Sequence, residues 1–141
     1  DPEEEHDCFS DNTHNSHYYD LKGMQNVWLG RYERLDGSLV EGPGMAALVA
    51  ERNPELAAEV EARLEETLAA ARALVERAET VEAYDQMIGE GNVEGNAAVQ
   101  AVIDGLVAQT RSFERVIADL NLADVTIEGS DSLDNPEAVF Q

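Results

Sequence analysis

An all-α, up-and-down helical bundle of about four helices is the fold this sequence predicts, and three observations predict it. Apolar residues recur at alternating steps of three and four along most of the chain, which is the spacing of one face of an α-helix. Hydrophobic residues make up 43% and alanine is abundant, whereas disordered acidic chains are poor in apolar residues. The 141 residues suit one domain with a real core, since a chain of this size buries about 68–70% of its unfolded surface. The bundle is expected over residues 1–124 and a polar tail over residues 125–141.

The first twenty residues form an irregular acidic segment that leads into the first helix. Asp11 and Thr13 both suit a helix start, and Gly30 supplies the usual stop. Between them Ser10, His14, His17, Leu21, Met24 and Trp28 are separated by 4, 3, 4, 3 and 4 residues, so on a helix they share one face. His14 is therefore expected to point inward along the ridge that carries Trp28. Residues 31–44 break the pattern as a loop with short extended pieces, because Asp36-Gly37 reads as a turn and Gly42-Pro43-Gly44 forbids regular helix.

A brief helix is expected over Met45 to Arg52. Asn53-Pro54-Glu55 then places a cap, a proline at the first helical position and an acid in the first turn. The helix it starts should run to about Ala78 and bury Leu56, Val60, Leu64, Leu68, Ala71 and Val75, with Glu59 and Arg63 paired at i,i+4 on the wet side. Thr80 reads as a new cap or a kink, and Val81, Tyr84, Met87 and Ile88 continue an apolar face to Gly89. Gly89, Gly91 and Gly95 follow no strand, so they read as an inter-helix turn rather than a phosphate loop. Asn92 caps the last helix, where Val99, Ile103, Leu106, Thr110, Phe113, Ile117 and Leu120 form a heptad-like seam that wants antiparallel helix partners. Val125 to Ile127 is too short for a sheet, and Asp131 to Gln141 reads as a solvated or docked tail.

Composition narrows the function. Thirty Asp and Glu against nine Lys and Arg give a net charge of −21, which argues against unaided binding to nucleic acid, because a phosphate backbone needs a basic footprint. No run of about 18 apolar residues exists, so a membrane span is not expected, and Asp-Pro-Glu-Glu-Glu does not read as a signal peptide. Cys8 stands alone, which leaves no internal disulfide and no CxxC site. With acids before it and Phe9 after it, Cys8 does not read as a nucleophile, so a small packed cysteine is the expectation.

Chemistry is concentrated at the start of the chain, which holds all three histidines among Asp1, Glu3, Glu4, Glu5, Asp7, Asp11 and Asp20. Imidazoles and carboxylates are the donors that borderline divalent metals and ferric iron take. His14 and His17 lie one helical turn apart, with His6 and Asp11 able to fold back from the preceding loop, and these four are the candidate metal ligands. The competing reading makes both helical histidines polar residues of a bundle end, bonded to nearby carboxylates. Ser10, Asp11, Asn12 and Thr13 read as a capping and turn segment. No pair of carboxylates is selected by spacing, and no catalytic residue can be assigned.

The segment Glu3-Glu4-Glu5-His6-Asp7-Cys8-Phe9-Ser10-Asp11-Asn12-Thr13-His14, followed by Gly23-Met24-Gln25-Asn26-Val27-Trp28-Leu29-Gly30-Arg31-Tyr32, resembles the second half of the imelysin family. Gly37 to Pro43 and Gln109-Thr110 extend the likeness. The resemblance implies an all-helical fold of two bundle-like halves with a site between them. It also implies a bacterial envelope protein, periplasmic or associated with the outer membrane, that takes part in iron or haem acquisition. Some members have been called metallopeptidases. The family's G-x-H-x-x-E signature belongs to its first half and is absent here: His17-Tyr18-Tyr19-Asp20 is the nearest string, it ends in Asp, and Asn15 stands where the glycine should be. The chain therefore resembles a fragment or one partner of a split protein, with a first half bearing that signature as its expected partner.

Carried over residue by residue, the matching positions are His6, Ser10, Asp11, Asn12, Thr13 and His14, of which Ser10, Asn12 and Thr13 are expected to bind ligand. An acid often occupies the place of Ser16. The cofactor implied is iron or another divalent metal, with haem left open. Three functions stand side by side: a binding half-site for iron uptake, a metallopeptidase, and a structural module that docks the missing half.

Overall fold

The computed structural model describes residues 2–122 and confirms an all-α bundle; the expected tail at 125–141, with Val125 to Ile127, lies outside the described residues. A 3-10 turn at Pro2–Glu4 opens the chain. Helix α1 spans Thr13–Leu29 and is preceded by Asn12, whose carbonyl accepts the Asn15 and Ser16 amides at 3.1 Å each while its side chain makes no cap. Gly30 ends the helix with φ +66°, the left-handed conformation that glycine adopts at least cost.

Residues 31–44 contain the expected extended pieces, paired as a hairpin. Strand β1 (Arg31–Glu33) and strand β2 (Leu39–Glu41) are antiparallel, with Tyr32 opposite Val40. Where the chain leaves this hairpin, a Cβ on Gly30 would lie 2.7 Å from the Gly44 nitrogen. Two glycines thus let two backbones cross at the end of α1.

Helix α2 (Met45–Arg52) leads into α3 (Pro54–Thr80), capped as expected by the Asn53 side chain, which accepts the Leu56 amide at 3.1 Å. Thr80 is the last residue of α3 rather than a kink. A single turn, α4 (Tyr84–Met87), and a bend through Gly91 precede α5 (Val93–Asp119), where the Asn92 side chain accepts the Gly95 amide at 2.9 Å.

Two apolar clusters show how the long helices run. Trp28 near the end of α1, Leu56 and Val60 at the start of α3, and Val116 near the end of α5 share one cluster with Val49 of α2. Leu21, Leu74, Met87 and Val102 share the other. Helices α1 and α5 therefore run parallel to each other, and both are antiparallel to the central α3. Each fully buried Leu in this core contributes roughly 1.5–3 kcal/mol relative to exposure.

Packing corrects several expectations. On α3 it is Leu74, not Val75, that is fully buried. On α1, Met24 is exposed and Gln25 is buried, its amide donating to Glu65 at 3.1 Å and its oxygen accepting from Lys22 at 2.7 Å. On α5 the buried residues are Gly95, Val102, Gln109, Ser112 and Val116, so the expected seam is only half-buried. The reason is close approach: a Cβ on Gly105 would lie 2.8 Å from the Thr67 hydroxyl, so the small residues of α5 face α3 and rotate the larger ones aside. Arg63 pairs with Glu66 at 2.6 Å instead of Glu59, which reaches Arg115 on α5.

Candidate functional site

The candidate site forms where the acidic N-terminal loop folds back over the first turns of α1. The Ser10 and Asp11 amides both donate to the Asp7 carbonyl at 3.0 Å. Asp11 follows with φ +49°, a left-handed conformation that Asp tolerates better than most residues.

Thr13 fastens this loop to the helix. Its hydroxyl donates to the Glu5 carboxylate at 2.9 Å and accepts the Asp7 amide at 2.9 Å. The Ser16 hydroxyl bonds to the Asp7 carboxylate. Glu5 is 9% exposed, and a carboxylate is stable in such a place only when hydrogen bonds replace its water.

The structure places the expected site residues unevenly. His14 is 9% exposed and lies inward with Leu21 and Trp28. Its Nε2 lies 3.2 Å from the Asn15 amide nitrogen, and its Nδ1 is buried with no partner among the described residues. In the tautomer that lets Nε2 accept this bond, Nδ1 carries the proton. His6 is exposed and its ring centroid is 6.2 Å from that of His17, which is half-buried and meets Tyr84 edge-on at 5.8 Å. Asp11 is exposed. Among the described residues, no group of three or more His, Cys, Asp or Glu side chains is gathered as a metal ion requires.

Of the expected ligand-binding residues, Asn12 is exposed and its side-chain oxygen accepts from Asn15 at 2.9 Å. Thr13 is fully buried and its hydroxyl is committed to the loop. Ser10, expected on the helix stripe, sits in the turn before it, exposed, with its hydroxyl donating to the Asp7 carbonyl at 3.2 Å. Cys8, expected to pack, is exposed beside a wholly exposed Phe9, because Thr13 anchors the loop through Glu5 and Asp7 and leaves its tip outside.

Beside the loop lies a polar hollow of about 650 Å³ lined by His6, Asn12, Asn15, Ser16, Tyr19, Asp20 and Glu79. Sequence reasoning did not select Asn15, Ser16 or Glu79. The first two were legible, since Asn12, Asn15, Ser16 and Tyr19 follow helical spacing. Glu79 comes from the far end of α3 and carries no local signal.

Two groups here titrate away from their ordinary values. Burial, and after it the neighbouring His6, lower the His17 pKa, while Asp20 and Asp7 oppose them. Burial, then the charge on Glu5, raises that of Tyr84. The site can therefore offer imidazole nitrogens, amides and carboxylates to a cation or polar ligand.

Residues 1–113 match the family model described as Imelysin. No curated protein matches the chain significantly. No helix among the described residues is long and apolar enough to cross a membrane.

Proposed function

This chain belongs to the imelysin family, and from that premise we propose that it serves iron or haem acquisition at the periplasm or outer membrane by contributing part of a ligand site. The observation that carries this reading is His14, held inward at the end of the Cys8 to His14 segment with a buried Nδ1 that has no partner among the described residues; as Nδ1–H it donates to a polar or anionic ligand, and in the other tautomer, at the expense of the Asn15 bond, Nδ1 would be free to ligate a metal. Leaving such a group unpaired costs about 1–3 kcal/mol, a penalty that a ligand or a facing side chain would recover. The acidic surface adds to this by concentrating cations near the site.

The described residues do not make up a full coordination set for a resident metal. The chain's share is a half-site, with His14 inside, His6, Asp20 and Glu79 around the adjoining hollow, and His17 half-buried beside His6. The remaining donors would come from a first half bearing the G-x-H-x-x-E signature. Hard ferric iron favours the carboxylates and a borderline divalent ion the imidazoles.

Elemental analysis after iron loading and desalting tests this, with the chain alone and with that first half added. Stoichiometric iron is expected only with both halves present, and it should be lost in His14→Gln with helicity unchanged. Background iron in every sample, or full retention by the variant, would overturn the reading.

A further inference from the structure

Asn12 and Asn15 link the polar hollow, which both of them line, to the buried imidazole of His14. Asn12 precedes α1, a place where an asparagine oxygen ordinarily accepts a backbone amide of the first turn, yet its side chain makes no such cap. Its Oδ1 accepts the Asn15 Nδ2 at 2.9 Å instead, and that same nitrogen lies 3.2 Å from His14 Nε2. The arrangement is local. The Asn12 carbonyl accepts the Asn15 backbone amide at 3.1 Å, which sets the two side chains one helical turn apart on the same face.

The hydrogens decide what each atom does. A side-chain amide nitrogen carries two of them and no acceptor site. With one hydrogen on Asn12 Oδ1, the other meets His14 Nε2, which must therefore accept. A neutral imidazole has one N–H and one bare nitrogen, so the proton sits on Nδ1. That atom is buried in a residue only 9% exposed, with no partner among the described residues. A free imidazole in water prefers the opposite form, with its proton on Nε2, and the contact made by one ring nitrogen sets the state of the other. The Asn15 amide thus reverses the ring's own preference.

We infer that Asn15 is a positioning residue: held by Asn12, it fixes His14 as the Nδ1–H tautomer, so that the half-site meets its ligand with a proton donor and not with a metal-seeking lone pair. The group His14 recognises is then an anionic oxygen of an iron chelate, while other donors hold the iron. This ligand class rests on the iron reading proposed above. The tautomer does not.

The test records long-range proton–nitrogen correlations of the imidazole rings in the isotope-labelled, iron-free chain. Alkaline buffer keeps the rings neutral, and His14→Gln assigns the His14 signals among the three histidines. A bare ring nitrogen resonates far downfield of a protonated one, and Nδ1–H is expected to dominate for His14. Two nearly isosteric substitutions add the same charge and predict opposite results. Asn15→Asp offers Nε2 only lone pairs and should move the proton to Nε2, whereas Asn12→Asp still accepts the Asn15 amide and should leave it on Nδ1. Acids are favourable at a helix start and α1 has none in its first turn, so both variants should keep native helicity by circular dichroism. A proton on Nε2 in the native chain, or one common response to both substitutions, would overturn the proposal. Loading with ferric citrate, with the first half present, reads the ligand class. Iron retention should fall at least about tenfold in Asn15→Asp and survive in Asn12→Asp; undiminished retention in Asn15→Asp would overturn the anionic-oxygen assignment. Iron absent from every sample would overturn the iron reading and this ligand class with it, whereas the spectra taken without iron decide the role of Asn15.

Discussion

Thr13→Val removes one hydroxyl and keeps the side-chain shape, so it isolates the fastening of the N-terminal loop. The hydroxyl donates to the Glu5 carboxylate and accepts the Asp7 amide, both at 2.9 Å, and Thr13 is fully buried. A hydrogen bond to a charged group contributes about 1.5–3 kcal/mol, and a buried amide left unpaired costs about 1–3 kcal/mol. The combined loss is about 3 kcal/mol, limited above by the free energy needed to peel the loop from α1. Hydrogen exchange followed by mass spectrometry reads this directly. The amides of Asp7, Ser10 and Asp11, all bonded within the loop or to Thr13, should exchange roughly a hundredfold faster in the variant. Urea unfolding followed by Trp28 fluorescence should change less, because that indole lies in the other cluster. Thr13→Ser should restore most of the protection. Exchange within about threefold of wild type in Thr13→Val would refute the assignment of Thr13 as the fastener.

Three other outcomes follow from the same coordinates. Leu68→Ala empties a fully buried position in the cluster that holds Leu21 and Met87 and should cost about 2–5 kcal/mol in chemical denaturation. Gly44→Ala drives a Cβ into the backbone of Trp28, Leu29 and Gly30, so melting should show a loss of more than about 2 kcal/mol, well above the cost of Gly23→Ala, where the added Cβ meets nothing. Because folding lowers the His17 pKa from its ordinary 6.5, the unfolded chain binds more protons. This residue then costs nothing well above pH 6.5, and destabilises progressively as pH falls from there through its folded value. His17→Gln should flatten that part of the stability curve in thermal melts between neutral and mildly acidic pH, and an unchanged slope would contradict the assignment.

Much of the fold was legible because its punctuation is local. Asn53-Pro54-Glu55, Asn92 and Gly30 start or stop helices through bonds and dihedrals within a few residues of themselves, so the sequence contains both partners of each interaction. The inward course of His14 was legible for a similar reason, since it follows from its spacing to Leu21 and Trp28 on one helix. The candidate site was harder to read. Thr13 looked like a ligand-binding residue and is a fastener, because a hydroxyl can serve either role until the carboxylate opposite it is known. Glu79 could not be foreseen, because it lies 59 residues beyond Asp20 in the chain and reaches the hollow from another helix.

By itself, then, the sequence determined the number and approximate limits of the long helices, the acidic character of the chain, and the family likeness. Only the tertiary structure decided how each helix is rotated about its axis. Close approach at Gly105 turned small residues of α5 toward α3, set Ile103 and Ile117 aside, and buried Gln109 in place of an apolar neighbour, while on α1 Gln25 is buried against Glu65. Periodicity specifies an apolar arc broader than any one partner covers. Which edge of that arc is buried depends on the shape of the facing helix, and that information is distributed across the whole chain.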